Sequence, residues 1–305
     1  MTVPITGPAA VKVPTILLCA DDYAMTAGIS RSIEALAVAQ RLSATSAMTT
    51  TRHWVDDARR IAEHRGTLSI GLHLNFTLGA PAGAMALLAP QGTLPALKPL
   101  MQRALIGRLD RQEIRDEIRR QLDAFERALG FQPDHVDGHQ HVQVLPTIRA
   151  ALLDELAMRY RNAPPLVRDP VDRRVKGVPV SVAAAKARVA NGLAVGFAAS
   201  ARAHGLHVNN GFSGFSAFDT AQSYSDELKA EVAGAGPRHI VMCHPGFNDA
   251  ELAALDPVTA RRDQEHAGLS AADWLADRLW RPSRAADGAA VDWARAWPEH
   301  AVARG

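Results

Sequence analysis

Short apolar runs alternate along this chain with longer segments in which apolar residues recur every three or four positions. The short runs predict buried strands, and the longer segments predict amphipathic helices. The predicted strands cover residues 14–20, 43–49, 68–75, 135–137, 166–167, 207–208 and 240–243. The predicted helices cover residues 28–40, 54–64, 111–129, 146–160 and 182–204 (with a break at Gly192), with two more near Ala260 and over 270–279. This order predicts a parallel sheet with helical crossovers that closes as an irregular, TIM-like (β/α) barrel.

Three segments depart from the alternation. Residues 77–99 are rich in Gly, Ala and Pro and have no clear period, which is typical of a functional loop or lid. Residues 1–13 are expected to form a loose leader. Residues 281–305 are expected to form a tail that docks on the surface through Trp293 and Trp297. We therefore expect one catalytic domain over residues 1–305.

Composition narrows the class of protein. The chain has 305 residues, 47% of them hydrophobic and 22% charged, with a net charge of +2, so nothing favours a nucleic-acid partner. Cys19 and Cys243 are the only cysteines, and both lie in apolar runs, where small buried thiols are expected. We expect neither a signal peptide nor a membrane span, which favours a cytoplasmic enzyme. The sequence leaves the oligomeric state open, although a homodimer is the commonest assembly.

Two adjacent aspartates, Asp21 and Asp22, end the first predicted strand. At a strand end the backbone can turn, so both carboxylates can reach one cavity in different roles. One can bind a metal ion while the other accepts a proton. The alternative is a solvated turn in which an aspartate caps the next helix.

Histidines stand at the ends of three other predicted strands. His73 follows an apolar approach, and taken alone it can be a satisfied core histidine. His139 and His141 lie two positions apart, so in an extended segment both face one cavity, with Asp137 able to orient a histidine. His244 precedes a Pro-Gly turn that exposes its imidazole. Because the carboxyl ends of barrel strands meet at one mouth, these residues predict a metal site there.

The segments that carry this pattern resemble the YdjC-like carbohydrate deacetylase family. They are residues 20–23 (ADDY), 71–74 (GLHL), 136–142 (VDGHQHV) and 243–246 (CHPG), in the family's order. The resemblance implies an irregular (β/α) barrel. It also implies metal-dependent removal of acetyl groups from N-acetylated sugars such as chito-oligosaccharides.

The resemblance also implies roles for single residues. Asp22, His73 and His139 would hold a divalent metal ion, Mg²⁺ or Zn²⁺. Asp21 would be the general base and His244 the catalytic acid. His141 and Arg168 fall where the family has further active-site groups.

Two positions depart from the family's pattern. Gln143 stands in place of a further histidine, which is expected to change substrate contacts. Tyr23-Ala24 replaces Phe-Gly in a turn, where Ala lacks the conformational freedom of Gly.

Other features leave alternatives open. Phe212, Phe215 and Phe218 can stack on a sugar ring or simply pack a loop. The protein can also be a metal-dependent hydrolase of another amide or ester, or a sugar-binding barrel without catalysis. Which acetylated sugar or glycolipid is the substrate, and which metal is native, cannot be read from the sequence.

Overall fold

A computed structural model describes residues 15–175, 182–284 and 289–297, so the predicted leader at 1–13 lies outside the described residues. Eight strands form one sheet in which every neighbouring pair is parallel. They are β1 (Ile16–Tyr23), β2 (Ala44–Ala47), β3 (Ser69–Leu74), β4 (His135–Gly138), β5 (Leu166–Val167), β6 (His207–Val208), β7 (Gly211–Ser213) and β8 (His239–Cys243). The order across the sheet is β6-β5-β4-β3-β2-β1-β8-β7. This order confirms the predicted irregular TIM-like α/β barrel.

The barrel has a seam between β6 and β7. No strand pairing joins these two within the described ranges, yet only Asn209 and Asn210 separate them, so the two edges of the sheet must lie close. The side chain of Asn209 bridges the gap: its Oδ1 accepts from the backbone N–H of Asp169 at 2.8 Å. Its Nδ2 donates to the carbonyl oxygens of Asp169 and Gly211, each at 2.9 Å.

Helices connect the strands and cover the outside of the sheet. They are α1 (Ala27–Val38), α2 (Trp54–Ala62), α3 (Leu97–Leu105), α4 (Arg111–Leu129), α5 (Ile148–Arg159), α6 (Val182–Leu193), α7 (Phe197–Ala203), α8 (Tyr224–Val232), α9 (Ala250–Leu255), α10 (Ala260–Ser270) and α11 (Trp293–Ala296). None of the described helices is both long and apolar enough to cross a membrane.

Helix α4 shows how the sequence encodes such a helix. The carboxylate of Asp110 caps its first turn by accepting the N–H of Glu113 at 2.8 Å, and Gly130 ends it with a φ of 74°, the left-handed conformation that glycine adopts without strain. Its apolar residues Ile114, Ile118, Leu122 and Phe125 recur every three or four positions and are all buried.

The structure corrects several predicted elements. The sequence did not predict strand β7 or helices α3, α8 and α9. Each of these elements is short, and the apolar residues around it show only a weak periodicity. Residues 270–279 do not form an α-helix; the structure has a 3-10 segment at Asp273–Arg278. The helical stretch 182–204 breaks at 194–196, where Gly196 has a φ of 76°, rather than at Gly192.

The C-terminal tail reaches deeper than the surface docking expected from the sequence. Trp280, Trp293 and Trp297 are buried and pack on one another, with the rings of Trp280 and Trp293 stacked 5.0 Å apart. They belong to an apolar cluster with Leu17 and Ile240, which lie near the N-terminal ends of β1 and β8. The tail therefore closes the end of the barrel opposite the strands' carboxyl ends.

Replacing Trp293 by Ala should destabilise the protein by about 3–5 kcal/mol, the usual range for a buried Trp→Ala change. The indole is 1% exposed, and its N–H donates to the carbonyl oxygen of Asp134 at 2.6 Å. Chemical denaturation should show this loss. The Trp293→Phe variant keeps much of the packing and should lose mainly the hydrogen bond, about 1 kcal/mol. Equal stability of Trp293→Ala and the parent would contradict this account of the tail.

Candidate metal and catalytic site

A distortion at the end of β1 brings both aspartates into one cleft. In a regular strand adjacent side chains point to opposite faces. Here the register between β1 and β2 shifts between Ala20 and Tyr23, and Asp22 has a φ of 68°. Both Asp21 and Asp22 consequently line the cleft at the carboxyl ends of the strands. Ala24 also has a φ of 68°, so it occupies the left-handed conformation for which glycine is better suited.

Three potential metal-binding atoms converge at the bottom of this cleft. The Oδ1 atom of Asp22 lies 3.3 Å from Nε2 of His73 and 3.0 Å from Nδ1 of His139. All three ligand atoms lie within 4.8 Å of one another. One carboxylate and two imidazoles form a donor set that suits several divalent metals. The residues present therefore fit the ion that the sequence predicts.

Asp137 on β4 orients one of these histidines. Its Oδ1 lies 2.6 Å from Nδ1 of His73, which leaves Nε2 of His73 directed at Asp22. A carboxylate behind a histidine in this way fixes the ring and its tautomer in metal sites. The sequence suggested that Asp137 could orient a histidine, and the structure shows that the histidine is His73.

The charges around these groups are strongly coupled. Burial alone would raise the pKa of Asp22, but the Arg262 guanidinium and His139 hold it well below its usual range. Burial lowers the pKa of His73, while the carboxylates of Asp137 and Asp21 act more strongly and raise it to about 10. The carboxylates around His73 thus favour a positive charge at this position, as expected where a cation is to be held.

The sequence predicted an extended segment at His139 and His141. The structure instead places both histidines in a 3-10 turn at His139–Val144. Gln140 and His141 have φ values of 54° and 60°. Both histidines still line the cleft, because the turn rather than strand alternation directs them. Nδ1 of His141 is buried without a hydrogen-bond partner. Burial and the charge of Arg168 lower the pKa of His141 to about 3, so this imidazole is neutral.

Gln143 lies in the same turn but outside the cleft. It is buried, it is absent from the residues lining the cleft, and its Nε2 donates to the carbonyl oxygen of Arg168 at 3.2 Å. The structure therefore gives no direct support for the expectation that Gln143 changes the contacts with substrate. The side chain instead supports the strand end that carries Arg168.

Arg168 follows β5 and joins two carboxylates beneath the cleft. Its guanidinium binds Asp21 through two hydrogen bonds, of 2.6 and 2.7 Å, and it also forms an ion pair with Asp137. Its Nη2 lies 3.1 Å from the Sγ atom of Cys19. Arg168 therefore fixes the orientation of the Asp21 carboxylate.

His244 follows β8 and lines the same cleft. Burial lowers its pKa to about 4, so the resting imidazole is neutral. The backbone N–H of His244 donates to Oε2 of Glu265 on α10 at 2.5 Å. Burial raises the pKa of Glu265 to about 7, although this hydrogen bond and Arg262 act in the opposite direction.

Glu265 should make folding stability depend on pH between about 4.5 and 7. Because its pKa is raised from 4.5 in the folded chain, the folded state holds a proton over this window that the unfolded chain has lost. The contribution of Glu265 to the free energy of unfolding should therefore be largest on the acid side and fall by roughly 1.4 kcal/mol per pH unit as the pH rises to 7. Denaturation curves of the parent and of Glu265→Gln at several pH values isolate this contribution as the difference between the two. A difference that does not change between pH 4.5 and 7 would refute the assignment.

The cleft above these groups has a volume of about 380 Å³. Its walls are mostly apolar, and Phe215 and Phe218 line it. Phe212 does not; it is 1% exposed and packs behind His141 and Phe215, with ring centroids 5.7 and 5.5 Å away. Its predicted contact with substrate is therefore corrected to a supporting contact.

The predicted lid contributes little to the cleft. Of residues 77–99, only Leu97 lines the cleft, and Met101 of α3 lies beside it. Hydrogen bonds instead hold this segment against α4. The backbone N–H of Ala82 donates to Glu117 at 2.7 Å, and that of Leu88 donates to Glu113 at 2.9 Å. The segment is therefore a packed connection.

Three charged residues that line the cleft were not predicted: Lys186, Asp256 and Arg262. Arg262 on α10 donates to Oδ2 of Asp22 at 2.7 Å, and Asp256 binds the same guanidinium at 2.7 Å. Both line the cleft. They lie about 240 positions from Asp22 in the sequence and follow no strand, so no local signal marked them.

The chain is similar to several known proteins. The sequence profile described as YdjC-like protein matches residues 15–278. A chitooligosaccharide deacetylase from Klebsiella pneumoniae is 28% identical over 284 residues, covering 87% of this chain and 96% of that protein. A human carbohydrate deacetylase is 30% identical over 205 residues, and the match spans 60% of each chain.

A solved structure supports the fold. A protein from Enterococcus faecalis named for cellobiose-phosphate cleavage superposes with a TM-score of 0.61 at 17% identity, covering 85% of this chain and 91% of that one. This likeness bears on the fold alone. Because the YdjC-like sequence profile matches residues 15–278, most of this chain, the chain belongs to the YdjC-like family.

Proposed function

We propose that this protein is a metal-dependent hydrolase that removes acetyl groups from N-acetylated sugars. One observation carries the proposal: the ligand atoms of Asp22, His73 and His139 converge within 4.8 Å, and Asp21 and His244 line the same cleft. The names of the human and Klebsiella relatives give the substrate class. The single catalytic domain, the cytoplasmic location and the homodimer stay predictions.

In the proposed mechanism, Asp22, His73 and His139 hold a divalent ion. When bound, this ion supplies Lewis acidity, which lowers the pKa of water and polarises the acetyl carbonyl. The ligand types suit Zn²⁺, Fe²⁺ or Mn²⁺, and the resemblance to the family also allows Mg²⁺.

The remaining steps belong to the side chains of the cleft. Asp21, held in place by Arg168, takes the proton from the attacking water. Because the resting imidazole of His244 is neutral, it must take up a proton before it can give one to the leaving amine. The proton that Asp21 takes from water balances this step, and both side chains line the same cleft. Phe215 and Phe218 contact the sugar ring, and His141 contributes a neutral polar edge.

Acetate release tests the proposal directly. Metal-free protein is reloaded separately with Zn²⁺, Mg²⁺, Mn²⁺ and Co²⁺ and incubated with N-acetylglucosamine and with short chitin oligomers. We expect acetate release that requires a metal and shows which substrate is preferred. Metal binding without acetate release from any of these substrates would instead favour hydrolysis of another amide or ester. Sugar binding without turnover would favour a non-catalytic barrel.

A further inference from the structure

Arg262 connects three parts of the site that are distant in sequence. Its Nη2 donates to Oδ2 of Asp22 and to Oδ2 of Asp256, both at 2.7 Å. Its Nε donates to the carbonyl oxygen of Val258 at 3.1 Å. Its own carbonyl oxygen accepts the N–H of Gly246 at 3.2 Å, two residues beyond His244.

The contact with Asp22 determines which oxygen faces the histidines. Oδ2 of Asp22 is occupied by Arg262, whereas Oδ1 is the atom near His73 and His139. Asp22 also has a left-handed φ of 68°, a conformation that surrounding contacts must hold in place. Without the guanidinium, the carboxylate would be free to turn about its χ angles.

The contacts with Asp256 and Val258 hold the rim of the cleft. Asp256, Pro257 and Val258 all line it, and the guanidinium reaches both ends of this segment. The guanidinium contacts both carboxylates through Nη2 and the carbonyl oxygen through Nε. Lysine would have to make these contacts from one nitrogen atom, so it cannot keep the same geometry. Nη1 of Arg262 is buried without a hydrogen-bond partner, so the guanidinium has a donor to spare beside the cleft.

We propose that Arg262 is a positioning residue that orients Asp22 as a metal ligand and fixes the cleft rim at residues 256–258. The part that concerns turnover rests on the proposed function, whereas the part that concerns metal binding does not. A positive charge beside a metal ligand weakens the attraction for a cation, so the benefit inferred here is geometric: Arg262 holds Oδ2 of Asp22 and leaves Oδ1 facing His73 and His139. Partners that orient ligands in this way are typically worth about 10–100-fold in metal affinity or activity.

The test compares Arg262→Gln and Arg262→Lys with the parent protein. Zn²⁺ affinity is measured by titration calorimetry, and the Co²⁺-loaded proteins are compared by visible absorption, which reports ligand geometry. For Arg262→Gln we expect about 10–100-fold weaker binding and an altered Co²⁺ spectrum. Arg262→Lys restores the charge without the fork and should recover only part of the affinity.

Two further variants separate positioning from general damage. Arg261→Lys changes the neighbouring buried arginine, which binds Glu227 and the carbonyl oxygen of Gln222, and should leave metal affinity unchanged. Asp256→Asn weakens the rim contact but leaves the hydrogen bond from Arg262 to Asp22, so it should lower metal affinity less than Arg262→Gln does while raising KM for the sugar. Unchanged or tighter Zn²⁺ binding in Arg262→Gln, with a parental Co²⁺ spectrum, would overturn the proposal. The parent protein could bind metal but release no acetate, in which case the proposed function fails. A loss of Zn²⁺ affinity in Arg262→Gln would still support the positioning role of Arg262.

Discussion

Replacing Asp21 by Asn should lower acetate release by about 10²–10⁴-fold, the usual contribution of a general base, while the protein still binds its metal ion. Asp21 lines the cleft and lies outside the group formed by Asp22, His73 and His139; its own carboxylate lies within 4.8 Å of potential ligand atoms of His73 and Asp137. Its two oxygens both accept hydrogen bonds from Arg168, so the substitution removes the proton acceptor and leaves the ligand cluster intact. Turnover numbers and calorimetric metal titrations on the same preparation measure the two effects.

Asp22→Asn is the matched control. It removes the same charge from the adjacent residue, but this carboxylate contacts His73, His139 and Arg262. Metal affinity should therefore fall by more than the roughly 100-fold that an outer partner costs, and activity should fall with it. Equal loss of metal in the two variants would contradict the proposed division of roles between the aspartates.

The sequence was most informative at strand ends. The sequence could place four residues at the same mouth of the barrel, because each follows an apolar run and the carboxyl ends of parallel strands lie together. They are Asp21, Asp22, His73 and His244. The predicted barrel follows from the same alternation of strands and helices. Both inferences depend on backbone direction and periodicity, which local sequence encodes well.

What the sequence missed depends on side chains from distant segments. Arg262 reaches Asp22 from a helix after the last strand, and no local pattern announces that contact. The prediction of an extended segment at His139 and His141 was wrong because Gln140 and His141 adopt positive φ values, which their residue types do not require. The burial of Trp293 depends likewise on the shape of the barrel end that it fills.

Replacing Arg168 by Met should destabilise the fold by about 3–5 kcal/mol, because it leaves buried carboxylates without their cation. Arg168 is 1% exposed and binds both Asp21 and Asp137, which are also buried. Denaturation in urea or guanidinium measures the loss. The exposed Arg108 provides the control, since Arg108→Met should change stability by less than about 0.5 kcal/mol.

A double-mutant cycle shows whether the cost comes from unpaired charge. Adding Asp21→Asn to Arg168→Met removes one of the two orphaned carboxylates, so the double variant should be more stable than the two single losses added together. Asp137 keeps its contact with His73 in either background. Additive losses would mean that the unpaired charge of Asp21 does not account for the cost of Arg168→Met. A positive coupling would show that the buried ion pair, which orients the proposed base, is also what the core requires at this position.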